Sequence, residues 1–161
     1  MSPIREIPLA EVPGAHPAAV FHRFWQAAAG GGRWAPWSHF DPIDHPAILP
    51  WVLLLKSEPL PQGPGQDWRY AVCGTGCTDL FGFSYQGKLF GTGMPAEAAA
   101  ERRAEFDRVV AGAGPLFFDS HLPIPTREFV RVLRGIFPFS TGQGEIDRLF
   151  LVVAREETRA D

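Results

Sequence analysis

Apolar and polar residues alternate strictly over 67–73. Trp68, Tyr70 and Val72 share one face and Arg69 and Ala71 the other, which is the two-residue period of a half-buried strand. Gly74 and Gly76 break that run and supply a sharp turn into a helix-length segment at 78–81, followed by further breaks at Gly82 and Gly87. Upstream, the apolar run 51–56 predicts a buried first strand, and the proline- and glycine-rich stretch 59–66 reads as the loop joining it to the second. At 16–28, Val20, Phe21, Phe24, Trp25 and Ala28 recur at helical spacing, with Arg23 and Gln26 opposite and Pro17 in the first turn. Gly30, Gly31 and Gly32 end that helix, and Asp41 followed by Pro42 suits the cap of a short turn within 41–50. A later helix is predicted at 95–111. Ala98, Ala99, Phe106, Val109 and Val110 form its apolar side, while Glu101 with Glu105 and Arg103 with Asp107 are expected to face water. Three strand-like stretches follow at 116–122, 128–139 and 145–155, joined by turns at 123–126 and 140–144, and short connections of this kind imply an antiparallel meander.

The last two strands are apolar on both faces. Leu149, Leu151 and Val153 oppose Phe150 and Val152, and Val130, Val132 and Ile136 oppose Phe129, Leu133 and Phe137. Such a sheet needs a cover on each side. The helical middle of the chain supplies one cover, and the N-terminal helix or a second chain must supply the other. Val20, Phe21, Phe24, Trp25, Phe150 and Val152 are therefore the candidate interface of a homodimer or protein complex.

The 161 residues suit one domain, read as an extension with a flanking helix at 1–37, a core at 38–156 and a tail at 157–161. The chain is 45% apolar and 20% charged with a net charge of −3, and no basic cluster has the footprint of nucleic-acid binding. No window is apolar for long enough to span a membrane or act as a signal peptide, so no membrane partner and a cytoplasmic location are expected. The 17 glycines and 16 prolines cluster between elements and act as punctuation.

The pairs Leu49-Pro50, Arg69-Tyr70, Gly74-Thr75 and Gly87-Lys88, spread through a region of about 40–153, make the chain resemble a PAS-like family of alphaproteobacteria. The order of two strands, a helical middle and three strands agrees with that resemblance. It implies an α+β, PAS-like fold: a five-stranded antiparallel sheet with helices on one face and an N-terminal flanking helix. It further implies a sensory or signalling role, and a pocket between the sheet and the middle helices. Tyr70, Val72, Phe81, Phe90, Phe106, Phe118, Ser120 and Phe129 are the candidate lining, with Tyr70 and Ser120 as its polar groups. Arg69 and Tyr70 must diverge, with Tyr70 inward and Arg69 paired outside, Asp67 being a candidate partner.

Candidate chemistry is sparse. Cys73 and Cys77 lack a second ligand pair for a metal and read as small hydrophobes. The flavin-reactive Asn-Cys-Arg motif of light-sensing relatives is missing. The predicted helix at 95–111 has no histidine for haem, which leaves His121 as a remote ligand candidate and neither cofactor supported by a motif. His39 and His45 read as loop and cap residues. No nucleophile elbow or phosphate-binding loop occurs, so no catalytic residue is assigned. Three readings result. The first is a sensory module, with no output domain attached, acting through a small molecule or a protein partner. The second is a structural dimerisation domain with a filled core. The third is a small α+β barrel enzyme built on Asp119 and His121, which share a strand face.

Overall fold

The computed structural model describes residues 3–142 and 144–161. Gln143, within the predicted 140–144 turn, and Met1 and Ser2 lie outside the described residues. The fold is α+β. A seven-stranded, mostly antiparallel sheet carries helices on both faces. Its elements are β1 (Arg5–Ile7), α1 (Pro17–Ala29), β2 (Ala35–Pro36), β3 (Val52–Pro59), β4 (Gln66–Cys73), α2 (Thr75–Phe81), α3 (Ala96–Arg108), β5 (Leu116–His121), β6 (Arg131–Ser140) and β7 (Arg148–Ala154). Strand order is β1-β5-β6-β7-β3-β4, and β2 runs parallel to the far end of β6 beyond the reach of β5.

The expected five-stranded sheet is thus corrected by two short additions. Neither β1 nor β2 is long enough to show a hydrophobic period, and each exists because β5 or β6 offers it an unpaired edge. The other edge, β4, is covered by the loop after α2, where Tyr70 N–H donates to Lys88 O (2.9 Å) and Gly87 N–H to Tyr70 O (2.7 Å).

The alternation in β6 and β7 resolves into two cores. Val130, Val132, Ile136, Leu149, Leu151 and Val153 pack beneath α2 and α3. Leu133, Phe137, Phe139, Phe150 and Val152 pack beneath α1. The chain's own first helix therefore supplies the second cover that the sheet requires. Trp25 Nε1–H donates to Pro138 O (2.9 Å), and the Phe21 ring stacks on Phe150 at 4.2 Å. This corrects the candidate interface. Phe21, Trp25, Phe150 and Val152 are buried inside the chain, and Val20 and Phe24 pack at the margin of the same cluster.

The four dipeptides that carry the resemblance meet in pairs. The Gly74 N–H donates to Val52 O (2.8 Å), and a Cβ there would fall against the carbonyl oxygens of Leu49 and Pro50, so Gly74-Thr75 docks on Leu49-Pro50. Arg69-Tyr70 likewise docks on Gly87-Lys88, with Arg69 Nη1 donating to Gly87 O (3.1 Å). The outward partner of Arg69 is Glu58, directly across the ladder from its neighbour Asp67. Two 2.8 Å hydrogen bonds join the Arg69 guanidinium to the Glu58 carboxylate, while Asp67 pairs with Arg103 from α3 (3.2 Å). Arg103, expected to face water with Asp107, instead makes this longer-range contact and donates from Nη2 to Phe90 O (2.7 Å).

Helix α1 has an unusual cap. His16 is fully buried; its Nδ1 accepts the Ala18 N–H (3.1 Å), which leaves Nε2–H to donate to Ala154 O (3.1 Å). The Nδ1 contact needs the neutral ring, and burial pushes the His16 pKa below its ordinary 6.5. The unfolded chain protonates at that ordinary value while the folded chain resists. Stability is therefore complete above pH 6.5 and declines as pH falls below it towards the folded pKa. His22 and His45 are shifted in the same direction by burial, so the cap is isolated by difference. We expect the urea midpoint of the wild type to fall between pH 7.5 and 5.5 by more than that of His16→Asn, whose amide caps without titrating. Equal slopes for the two proteins would reject the assignment.

Candidate functional site

The site lies between the sheet and the α2–α3 layer. β4 brings Tyr70 to it, with Tyr70 only 2% exposed; α2 brings Phe81; the glycine-rich loop brings Tyr85, Phe90 and Met94; and α3 brings Arg102 and Phe106. These residues, with Leu53, Leu151 and Val153 of the sheet floor and the segment 122–124, line a partly open cavity of about 40 Å³. Tyr70 stacks on Tyr85 at 5.1 Å, and Phe90 meets Phe106 edge-on at 4.8 Å.

Of the candidate lining residues, Tyr70, Phe81, Phe90 and Phe106 line this cavity. Phe118 and Ser120 are buried on the same sheet face beside it, joined to it through Arg134. The Arg134 guanidinium lies 5.0 Å from the Phe118 ring centre, and its Nε–H donates to Ser120 Oγ (2.9 Å). Two candidates are corrected. Val72 is 40% exposed because a bulge between Leu54 and Leu55 leaves Ala71 unpaired. Leu55 pairs with Tyr70 but Leu54 with Val72, and that slip turns Val72 to the other face. Phe129 is 78% exposed because β6 starts only at Arg131, and 122–130 is a loop.

The residues that sequence reasoning missed are the charged ones. Glu105, expected to face water, is buried, and its carboxylate accepts two bonds from Arg134, at 2.8 Å from Nη1 and 3.1 Å from Nη2. Arg102 is also buried. Its Nη1 donates to Ala98 O and its Nη2 to His121 O, each at 3.3 Å. Burial, then the neighbouring Arg134, push its pKa down to about 10, which leaves it charged at neutral pH. A signal for both was present: Arg102 and Glu105 continue the Ala98, Ala99, Phe106, Val109 stripe, so helical spacing places them on the buried face.

The tyrosines remain protonated donors. Burial raises the Tyr70 pKa strongly and pushes that of Tyr85 up to about 12, and the buried Tyr85 hydroxyl has no hydrogen-bond partner. Arg102, Leu122 and Pro123 also wall an outer hollow of about 60 Å³ that includes Ala98, Glu101, His121 and Glu128. Larger depressions of about 540 and 460 Å³ flank Glu58, whose carboxylate is already paired with Arg69.

Other chemistry is accounted for locally. Cys77 is buried with its pKa raised well above the ordinary thiol value, and its Sγ–H points to Val153 O (3.8 Å); Cys73 is half-buried beside Thr78 Oγ1 (3.5 Å). Asp119 is held by Arg131, at 2.7 and 2.6 Å, and by Arg5 at 3.0 Å. These hydrogen bonds, that from Arg131 first, hold its carboxyl below the usual range, so it is a paired ion rather than a base waiting beside His121. Among the described residues no cluster of three or more His, Cys, Asp or Glu side chains has metal-binding geometry, and no helix is long and apolar enough to cross a membrane. No protein-family model, curated protein or solved structure matches the chain.

Proposed function

We propose that this chain is a PAS-like sensory module whose input is a small molecule held between the sheet and α2–α3. The observation that carries this reading is the aromatic-walled cavity of about 40 Å³, whose lining includes the buried Arg102 and Arg134. A core evolved only for packing gains little from an apolar gap that also meets two buried arginines and two tyrosines, because buried polar atoms cost free energy unless partnered. The order of two strands, helical middle and three strands supports the same reading, as does the pairwise docking of the four dipeptides that carry the resemblance. To signal, the ligand must bind two conformations of the module unequally. The 122–124 segment, which walls the cavity and leads into the exposed loop before β6, is the element placed to respond.

The cavity's size favours one alternative. Drug-sized ligands occupy roughly 300–1,000 Å³, far more than this space, and that suits an interaction domain with a nearly filled core. Native mass spectrometry of freshly purified protein, with an absorbance spectrum of the same sample, separates the two. A small molecule retained in the folded protein and released on denaturation is the expected result. A ligand-free chain that is uniformly dimeric, with no response to any small molecule, would reject sensing in favour of interaction.

A further inference from the structure

Buried charges in proteins are paired, because removing an ion from water without a counter-ion costs several kcal/mol. Arg102 departs from that rule. It is 7% exposed, and its guanidinium bonds go to two backbone carbonyls, those of Ala98 and His121. Among the described residues no carboxylate lies within ion-pair distance of it. Glu105, buried on the same helix, gives both oxygens to Arg134. Two buried arginines therefore flank one buried carboxylate, and Arg102, which also lines the cavity, has no carboxylate bonded to it, since Glu105 and Glu101 act on its charge only at longer range. Tyr85, whose buried hydroxyl lacks a partner, lines the same cavity. An unpaired cation and an unpaired donor around one void are complementary to an acceptor-rich anion.

Resting on the sensory reading above, we propose that the ligand is a short-chain monocarboxylate, its carboxylate paired with Arg102 and hydrogen-bonded by Tyr85. A guanidinium presents parallel N–H groups that match a carboxylate in two-point geometry. The rest of the cavity, walled by Phe90, Phe106, Leu151 and Val153, takes an apolar body. Its volume of about 40 Å³ holds on the order of three waters, which limits that body to one or two carbons, as in acetate or propionate. Glu101 and Glu128 line the outer hollow on the far side of Arg102. They repel an anion there, so the inner cavity is its seat, and the shared wall of Leu122 and Pro123 is its route inward.

The test is titration of the wild-type chain with sodium propionate, followed by calorimetry and thermal unfolding, against propionamide and against sodium chloride at equal ionic strength. Propionate is expected to bind and raise the melting temperature, and the neutral amide and chloride to do neither. Arg102→Met keeps the length and apolar stem but removes the charge. It should fold at least as stably as wild type without ligand and bind propionate about 10- to 100-fold more weakly, the loss expected for one charged hydrogen-bonded contact. Tyr85→Phe, which removes only the hydroxyl, is a second variant and should weaken binding while preserving the fold.

Propionate binding that Arg102→Met leaves unchanged, or a propionate effect matched by propionamide, would overturn the anion assignment. So would selective binding of phosphate or chloride in place of propionate. If propionate fails while native mass spectrometry finds a neutral co-purifying molecule, the anion falls and the sensory reading stands. If neither binds, both fall.

Discussion

Phe21→Ala is expected to lower stability by about 3–5 kcal/mol, the usual cost of truncating a fully buried phenylalanine. In a chain of this size that corresponds to a drop of roughly 10 °C or more in melting temperature. Phe21 is 0% exposed. Its ring stacks on Phe150 at 4.2 Å with planes 5° apart and meets Phe137 edge-on at 5.0 Å, so a single side chain joins α1 to β6 and β7. Loss of the ring removes those contacts and leaves a void that β6 and β7, pinned on both sides in the sheet, collapse into only partly. Thermal unfolding followed by circular dichroism measures the effect. A change below about 1 kcal/mol, within the range of ordinary surface substitutions, would mean that α1 does not hold this sheet face in solution. The face would then be open to a partner, as the sequence pattern first suggested.

Glu105→Ala should cost about as much, by another route. Removing one partner of a buried ion pair typically costs about 3–5 kcal/mol because the other charge remains without compensation. Here the cost falls at the upper end, since Arg134 would be stranded beside Arg102, a second buried guanidinium that already opposes it. Replacing both members together, as Glu105→Leu with Arg134→Met, should recover most of the loss, because apolar side chains of similar volume need no counter-ion. Urea denaturation of the two single variants and the double variant closes the cycle, and the coupling between the sites should be several times the scatter of independent mutations. Single variants that each cost little and simply add would show that the pair is solvated, and would remove the low-dielectric setting on which the Arg102 site depends. Propionate should also partly rescue Glu105→Ala, because it supplies a negative charge to the same cluster.

Much of this molecule was legible in one dimension. The helices, the long strands and the assignment of β6 and β7 residues to opposite cores follow from periods of 3.6 and 2, because burial is a property of one face and faces recur along the chain. Tyr70 pointing inward, Asp41 capping the turn at Pro42–Asp44 and Gly30 closing α1 in the left-handed conformation are local consequences of residue type. The errors have local causes of a different kind. Val72 was misplaced by a bulge that exists only because β3 and β4 pair out of step. Phe129 was misplaced by a strand that begins after it, where β5 supplies a partner to Arg131. β1 and β2 are strands solely by virtue of their neighbours.

The charged half of the site marks the boundary most clearly. Spacing on α3 puts Arg102 and Glu105 on the apolar stripe, yet a charge on a buried face is stable or unstable according to what lies opposite. What lies opposite comes from β6, 29 residues further on, where Arg134 reaches Glu105. Order along the chain settles which residues are hidden, since water is excluded from one face of each element in turn. Which charges are paired, and that Arg102 is left without a carboxylate, is settled only when α3, β5 and β6 meet. Coulombic partners and cavity walls are relations between distant segments, and no period along the chain encodes them.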